Sequence, residues 1–201
     1  MNVGVLALQG DFAEHLAVIE RLGASGREVR LAHELEGLEG LIIPGGESTT
    51  MAKLAIRFDL MDPLREFGRQ RPIWGTCAGA IFLARDAKRD QPLLGLMDIT
   101  VERNAFGRQA DSFEVDLSIP ILENPQKPLH AVFIRAPIIE RVGKGVEVLA
   151  RLPDGGNGKG GRIVAARQGG LLATSFHPEL GQDTRFHRAF LDLVRARGTA
   201  P

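Results

Sequence analysis

Short apolar runs alternate with helical spacing through the first half of the chain. Residues 3–8 form a continuous apolar run, which is typical of a strand buried in a parallel sheet. Phe12, Leu16, Ile19 and Leu22 then follow at the spacing of one helix face. The pattern predicts further strands at residues 28–31, 40–43 and 73–76, and helices at residues 12–22, 48–58, 60–67 and 78–87. This βαβα order indicates a mostly parallel sheet with helices on both faces.

Strand patterns dominate the second half of the chain. They lie at residues 99–102, 112–117, 131–134, 146–149, 163–167 and 171–175. Because few helical patterns separate them, some of these strands should be antiparallel, and the last two should form a hairpin across Gln168, Gly169 and Gly170. A final helix is predicted at residues 183–195, and the lack of a long linker favours one domain over residues 1–201.

The composition excludes several classes of protein. A hydrophobic fraction of 44% and a charged fraction of 25% are ordinary for a globular chain and exclude overall disorder. Lys plus Arg and Asp plus Glu both total 25, so the chain has no basic surplus with which to hold nucleic acid. No apolar run is long enough for a membrane helix. We therefore expect a cytoplasmic protein with neither nucleic acid nor membrane as a partner.

A glycine-rich stretch at residues 154–161 has the composition of a phosphate-binding loop but lacks its context. Such a loop needs a helix N-terminus after it, because the helix amides hold the anion. Here a predicted strand follows, and the G-x-x-x-x-G-K-[ST] spacing does not occur. The stretch is therefore predicted to be the tip of a hairpin.

The strongest chemical signal is the surroundings of Cys77, the only cysteine in the chain. A strand, the pattern G-x-C-x-G and a helix follow one another, which is the nucleophile-elbow arrangement with cysteine in place of serine. Gly75 and Gly79 allow a sharp turn, and the helix N-terminus favours a thiolate. The alternative is a buried structural cysteine. A single cysteine also excludes an intramolecular disulfide.

His177 is the best candidate for a base that activates Cys77. It follows the last predicted strand, and the ends of parallel strands gather at one sheet edge. Glu179, two residues on, can accept from the imidazole and stabilise its protonated form. The other four histidines, His15, His33, His130 and His187, lie in ordinary helical or loop contexts. His-x-Glu could instead supply two metal ligands, but the sequence offers no obvious third, so we expect no metal.

The glycines at the end of strand 40–43 are candidates for an oxyanion site. A tetrahedral intermediate needs fixed N–H donors, and the amides of Gly46 and Ala78 are well placed for that role. Ser48 would cap the helix that follows. Capping and catalysis are compatible at this turn.

These motifs carry a resemblance to a known family. G-T-C-A-G around Cys77, P-G-G-E-S around Gly46 and S-F-H-P-E around His177 resemble class I triad glutamine amidotransferases. V-E-R-N-A-F-G-R-Q at residues 101–109, D-S-F-E at 111–114, F-I-R-A-P at 133–137 and L-Q-G at 8–10 are similar to the glutaminase subunits of pyridoxal 5′-phosphate synthases. The resemblance implies a flavodoxin-like three-layer α/β/α sandwich.

The resemblance also implies roles for individual residues. Cys77 would be the nucleophile, His177 the base and acid, and Glu179 the orienting carboxylate. The implied glutamine site consists of Gly46, Glu47, Ser48, Arg103, Ile134 and Arg135. An arginine suits the free α-carboxylate of glutamine. Gln9 resembles a residue at the subunit contact that helps to order the oxyanion loop.

The implied activity is hydrolysis of L-glutamine, with the ammonia passed to a partner synthase subunit. That partner makes pyridoxal 5′-phosphate from ribose 5-phosphate and glyceraldehyde 3-phosphate, in an expected assembly of 12 + 12 subunits. The chain itself should bind no pyridoxal phosphate and needs no cofactor. Two other classes stay open: a flavodoxin-like cysteine peptidase or deglycase, and a scaffold that keeps only the fold.

Overall fold

The structure is a computed structural model, and it describes residues 1–103, 112–154 and 160–198. These residues contain twelve strands and five α-helices. The strands are β1 (Asn2–Leu6), β2 (Ser25–Val29), β3 (Gly40–Ile43), β4 (Ile73–Thr76), β5 (Ala84–Asp86), β6 (Met97–Glu102), β7 (Ser112–Leu117), β8 (Leu129–Ile134), β9 (Ile138–Val142), β10 (Glu147–Arg151), β11 (Ile163–Gln168) and β12 (Leu171–Thr174). The helices are α1 (Phe12–Arg21), α2 (Ser48–Arg57), α3 (Met61–Gln70), α4 (Ala78–Leu83) and α5 (Arg185–Gly198). Among these residues, no helix is both long enough and apolar enough to cross a bilayer.

The main sheet is parallel in its first half and mixed in its second. Strands β2, β1, β3, β4 and β12 lie side by side and are all parallel. From β12 the sheet continues antiparallel through β11, β9 and β6, and β5 pairs parallel with β6 at the far edge. The predicted hairpin of β11 and β12 is confirmed.

Helices cover both faces of this sheet. Leu41 and Ile43 of β3 point into one hydrophobic cluster, which also contains residues of α2, α3 and α4. Ile42 points into a second cluster with residues of α1 and α5. Because successive side chains of β3 point to opposite faces of the sheet, the strand contributes to two hydrophobic cores. This is the three-layer α/β/α sandwich that the sequence predicts. The assignment of residues 1–201 to one domain stays a prediction.

The prediction differs most from the structure at four elements: α4, β5, β2 and β9. Helix α4 ends at Leu83, not Ala87, because the N–H groups of Leu94 and Leu96 donate to the carbonyls of Phe82 and Leu83. The chain then becomes strand β5. Strand β2 covers Ser25–Val29 instead of residues 28–31, and the pattern conceals it because this edge strand buries only Val29. Strand β9, which holds the buried pair Ile138 and Ile139, is absent from the prediction.

Strands β7 and β8 form a separate two-stranded sheet. Phe133 of β8 stacks on Phe113 and meets Phe176 edge to face, so this hairpin packs beside the end of β12. Strands β10 and β11 flank the glycine-rich stretch and pair antiparallel. The predicted hairpin tip includes residues 155–159, which lie outside the described part of the chain, so that part of the prediction stays a prediction.

Candidate active site

The register of two neighbouring strands brings Cys77 and His177 to the same sheet edge. β4 and β12 are parallel, and Thr76 is paired with Thr174. Cys77 is the next residue after β4, and His177 lies three residues after β12. The backbone N–H of Cys77 also donates to the carbonyl of Thr174 over 2.8 Å. Cys77 acts to raise the pKa of His177, so the two side chains are neighbours at this sheet edge, as the sequence predicts.

Cys77 lies on a strained bend of the backbone. Its φ of 46° and ψ of −105° belong to a region that residues with a Cβ atom rarely occupy. The flanking glycines make the bend possible. A Cβ atom on Gly79 would lie 2.0 Å from the carbonyl oxygen of Ile43, and one on Gly75 would lie 2.5 Å from Gly79. The close packing of α4 on β3 and β4 therefore needs both glycines, as the elbow motif predicts.

His177 is held from two sides. Its backbone N–H donates to the carbonyl of Val132 in β8 over 2.9 Å, so the β7–β8 hairpin fixes its position. Its Nδ1 lies 2.7 Å from Oε1 of Glu179, whose side chain is fully buried. The ring therefore donates Nδ1–H to the carboxylate and turns Nε2 towards other partners.

The charges around His177 favour its protonated form. Burial acts to lower the pKa of His177, but the hydrogen bonds and charges of Cys77 and Glu179 outweigh burial and raise the pKa to about 10. Burial raises the pKa of Glu179, against the opposing hydrogen bond from His177. At neutral pH this arrangement is suited to a protonated imidazole beside Cys77.

Cys77, His177 and Glu179 are together called the triad below. Two further side chains near the triad were not assigned to the site from the sequence. Oδ2 of Asp11 lies 3.5 Å from Nδ1 of His177. Nε2 of His15 lies 3.4 Å from Oε2 of Glu179, the carboxylate oxygen that His177 does not use. Asp11 immediately precedes α1, and His15 lies in its first turns. Their contacts with the triad add a second carboxylate and a second imidazole to the site.

Asp11 also bears on the question of a metal. Potential ligand atoms of Asp11, His177 and Glu179 lie within 4.8 Å of one another, so Asp11 places a third potential ligand atom beside the two that the sequence offered. The 2.7 Å contact between His177 and Glu179 is nevertheless that of a direct hydrogen bond. The expectation of a site without metal stays a prediction.

The loop that holds Gly46 packs against the N-terminal segment. Gly46 has a φ of 141°, and a Cβ atom there would lie 2.5 Å from Oε1 of Gln9. The same oxygen accepts the backbone N–H of Glu47 over 2.6 Å. Ala78 is the first residue of α4, where an N–H has no partner within the helix. The structure thus places Gln9 directly against the predicted oxyanion loop.

Gln91 contacts two of the predicted glutamine-binding residues, Arg103 and Ser48. Arg103 donates to Oε1 of Glu47 over 2.7 Å and to Oε1 of Gln91 over 3.2 Å. Nε2 of Gln91 lies 3.4 Å from Oγ of Ser48. Partial burial acts to raise the pKa of Glu47, but hydrogen bonds from Thr49 and Arg103 outweigh it and lower the pKa. Gln91 belongs to none of the motifs, so no sequence signal indicated its place in the site.

The remaining predicted residues lie at the end of β8. Sγ of Cys77 is 4.0 Å from the carbonyl oxygen of Ile134. Arg135 comes next, with an exposed side chain and a φ of 44°. Residues 104–109 of the motif that begins at Val101, and Asp111 of the next motif, lie outside the described part of the chain.

Comparisons with known proteins agree on one family. The model of the SNO glutamine amidotransferase family matches residues 5–196. The pyridoxal 5′-phosphate synthase subunit PdxT of Herpetosiphon aurantiacus is 57% identical over 198 residues, covering 96% of this chain and 100% of the relative. PdxT of Moorella thermoacetica is 54% identical over 196 residues, covering 96% and 100%. A crystal structure of a glutamine amidotransferase superimposes with a TM-score of 0.87 at 51% identity, covering 96% of this chain and 98% of that one. The chain belongs to the SNO glutamine amidotransferase family.

Proposed function

We propose that this chain hydrolyses L-glutamine to L-glutamate and ammonia, as the glutaminase subunit of a pyridoxal 5′-phosphate synthase. The observation that carries the proposal is the placement of Cys77, on its strained bend, at the same sheet edge as a histidine that is itself bonded to a buried carboxylate. Relatives that share more than half of their residues with this chain are subunits of that synthase.

The reaction follows from this geometry in two steps. The Cys77 thiolate attacks the side-chain carbonyl carbon of glutamine, the C–N bond breaks, and His177 gives its proton to the departing ammonia. Neutral His177 then takes a proton from water, whose oxygen attacks the thioester carbon; the C–S bond breaks, glutamate leaves and the Cys77 thiolate is restored. Glu179 keeps the imidazole oriented in both steps and stabilises its cation. The amides of Gly46 and Ala78 stabilise the oxyanion, and Gln9 holds the Gly46 loop in place.

The substrate site offers charges that match an amino acid. Arg103 supplies a guanidinium for the α-carboxylate of glutamine, and Glu47 supplies a carboxylate for its α-ammonium group. In the free chain the two residues neutralise each other over 2.7 Å. Ser48, Ile134 and Arg135 complete the site.

The proposal extends to the partner. Ammonia passes to a synthase subunit that combines it with ribose 5-phosphate and glyceraldehyde 3-phosphate, and the two subunits assemble as 12 + 12. Gln9 lies at the contact with the synthase and links docking to the oxyanion loop. The chain binds no pyridoxal phosphate, no metal and no nucleic acid, and acts in the cytoplasm.

A direct assay tests the function. The purified chain is mixed with glutamine, with and without the synthase subunit, and ammonia and glutamate are measured. We expect equal amounts of both products and a higher rate with the synthase. No release of ammonia by the pair would overturn the proposal. Cleavage of peptides or of glycated amines in its place would favour the peptidase or deglycase alternative.

Gln91→Leu is expected to weaken glutamine binding without removing the chemistry. The substitution removes the bonds of Gln91 to Arg103 and Ser48, so the guanidinium loses one of the two groups that orient it. We expect KM to rise about tenfold and kcat to change less than about threefold, since one hydrogen bond to a charged group is lost. Gln70→Leu, on the exposed end of α3, is the matched control. A fall in kcat at constant KM would contradict this role.

A further inference from the structure

A buried pair of histidines lies behind the triad and has no part in the proposed reaction. His15 comes from α1 and His187 from α5, and both are almost fully buried. Nδ1 of His15 lies 2.9 Å from Nε2 of His187. On its other side, Nε2 of His15 faces Oε2 of Glu179 at 3.4 Å and Oγ1 of Thr76 at 3.3 Å. The pair thus reaches from the core to the triad carboxylate.

The carboxylate of Glu179 needs such a neighbour. Its Oε1 is bonded to His177, but Oε2 is buried and has no hydrogen-bond partner among the described residues. A buried carboxylate oxygen without a donor is costly and favours protonation of the acid. A protonated Glu179 would no longer stabilise the imidazolium of His177.

The hydrogen bonds of the pair select one arrangement of protons. If His187 donates Nε2–H to Nδ1 of His15, then His15 carries its proton on Nε2 and presents an N–H towards Glu179 and Thr76. The atom left without a partner among the described residues is then Nδ1 of His187, as an acceptor. The reverse arrangement would bury an unpaired N–H on His187 and turn a lone pair of His15 towards the carboxylate. Both ends of the pair favour the first arrangement.

We propose that His15 is a positioning residue for the triad, which directs the dipole of its Nε2–H towards Oε2 of Glu179 across 3.4 Å and keeps that carboxylate ionised and directed at His177, while His187 fixes the tautomer of His15. This inference rests on the proposed function. Trp74 keeps the pair in place, since its ring lies edge-on to both imidazoles. The distance between ring centroids is 5.6 Å to His15 and 4.9 Å to His187.

Both histidines are suited to act as neutral dipoles. Burial, followed by the neighbouring His187 and His177, holds the pKa of His15 well below its usual value. Burial and Arg21 lower the pKa of His187 to about 3. The groups that face Glu179 are therefore the cation of His177, the carboxylate of Asp11 and a neutral His15. His15 supports the carboxylate without competing for the proton that His177 transfers.

The test compares two substitutions of one residue. His15→Leu removes the donor at similar volume, whereas the amide of His15→Gln reaches the position of Nε2 and can still donate. In the complex with the synthase we expect His15→Leu to lower kcat about 10- to 50-fold with KM changed less than about twofold. His15→Gln should recover most of that loss. His33→Leu, at an exposed histidine, is the matched control.

A second measurement does not depend on glutamine hydrolysis. Cys77 is the only cysteine, so the rate of its alkylation by iodoacetamide as a function of pH follows the thiolate directly. Loss of support for Glu179 makes the imidazolium of His177 less stable. The midpoint of the curve of alkylation rate against pH should therefore rise by about 0.5–1 pH unit in His15→Leu. This readout separates the two proposals. A wild-type chain that releases no ammonia would overturn the function, while the alkylation curves would still decide the role of His15.

His187→Leu completes the comparison. It should shift the alkylation midpoint less than His15→Leu, and the double variant should behave like His15→Leu alone, because His187 acts through His15. An unchanged midpoint and kcat in folded His15→Leu would overturn the proposal, as would a His15→Gln variant as impaired as the leucine variant. Should His15→Leu fail to fold, His187→Leu takes its place in the test, and an unchanged midpoint there would overturn the proposal in the same way.

Discussion

Cys77→Gly is expected to abolish glutamine hydrolysis and to leave a folded chain that is more stable than Cys77→Ala. Both substitutions remove the nucleophile, so the activity of each should fall to the background of the assay. The two variants differ in how well residue 77 tolerates its backbone conformation. Alanine keeps a Cβ atom at φ 46° and ψ −105°, whereas glycine occupies this region freely.

The size of the difference follows from two opposing effects. Release of the strain at residue 77 stabilises the folded glycine variant by about 1–3 kcal/mol. The greater freedom of glycine in the unfolded chain costs about 0.5–1 kcal/mol. We therefore expect Cys77→Gly to exceed Cys77→Ala by about 1 kcal/mol in free energy of unfolding, or about 2–4 °C in Tm for a chain of this size.

Thermal and urea unfolding of the two variants, beside the wild type, measure this difference. A glycine variant no more stable than the alanine variant would show that the bend at residue 77 is not strained. Residual turnover in either variant would show that Cys77 is not the nucleophile. The expected result means that the chain gives up stability to hold its sulfur at the end of β4.

The triad is the part of the site that sequence reasoning predicts best. Cys77 and His177 each follow an apolar strand, and strands β4 and β12 are neighbours in the sheet. The motif around Cys77 fixes the bend through contacts of Gly75 and Gly79 with backbone atoms close by. Local pattern and the common direction of parallel strands were therefore sufficient to predict this part of the site.

The residues that sequence reasoning missed depend on contacts across the fold. Gln91 reaches Ser48 and Arg103 from a loop after β5, and no local pattern indicates where such a loop lies. His15 and His187 did carry a signal. Each shares the apolar face of its helix, His15 with Ile19 and His187 with Phe190, and a histidine on such a face is buried and needs a polar partner.

The edge strands show the same limit of prediction from the sequence. β2 and β5 each lie at an edge of the main sheet, and their polar residues conceal them from a search for apolar runs. Their pairing is decided by the backbone of the neighbouring strand, which the sequence pattern does not reveal. Central strands such as β3 and β4 bury every residue and were predicted at their observed bounds.

Glu179→Gln is expected to lower kcat about 10²–10³-fold and to change its pH dependence. Glutamine keeps the shape of the side chain and a carbonyl that can accept Nδ1–H of His177, but it lacks the charge that stabilises the imidazolium. Its amide would also place N–H groups against Nε2–H of His15. The loss should fall on kcat, because Glu179 does not touch the substrate site.

The pH profile gives the sharper test of this charge. Since Glu179 helps to raise the pKa of His177 to about 10, its removal lowers that pKa, and the alkaline limb of kcat/KM should move to lower pH. Asp11→Asn is the matched control, because Asp11 is 3.5 Å from Nδ1 and 40% exposed, and should shift the limb less. In the double variant Glu179→Gln, Asp11→Asn, the shift of the alkaline limb should exceed that of either single variant. An alkaline limb that stays in place in Glu179→Gln would mean that His177 owes its protonated state to Cys77 alone.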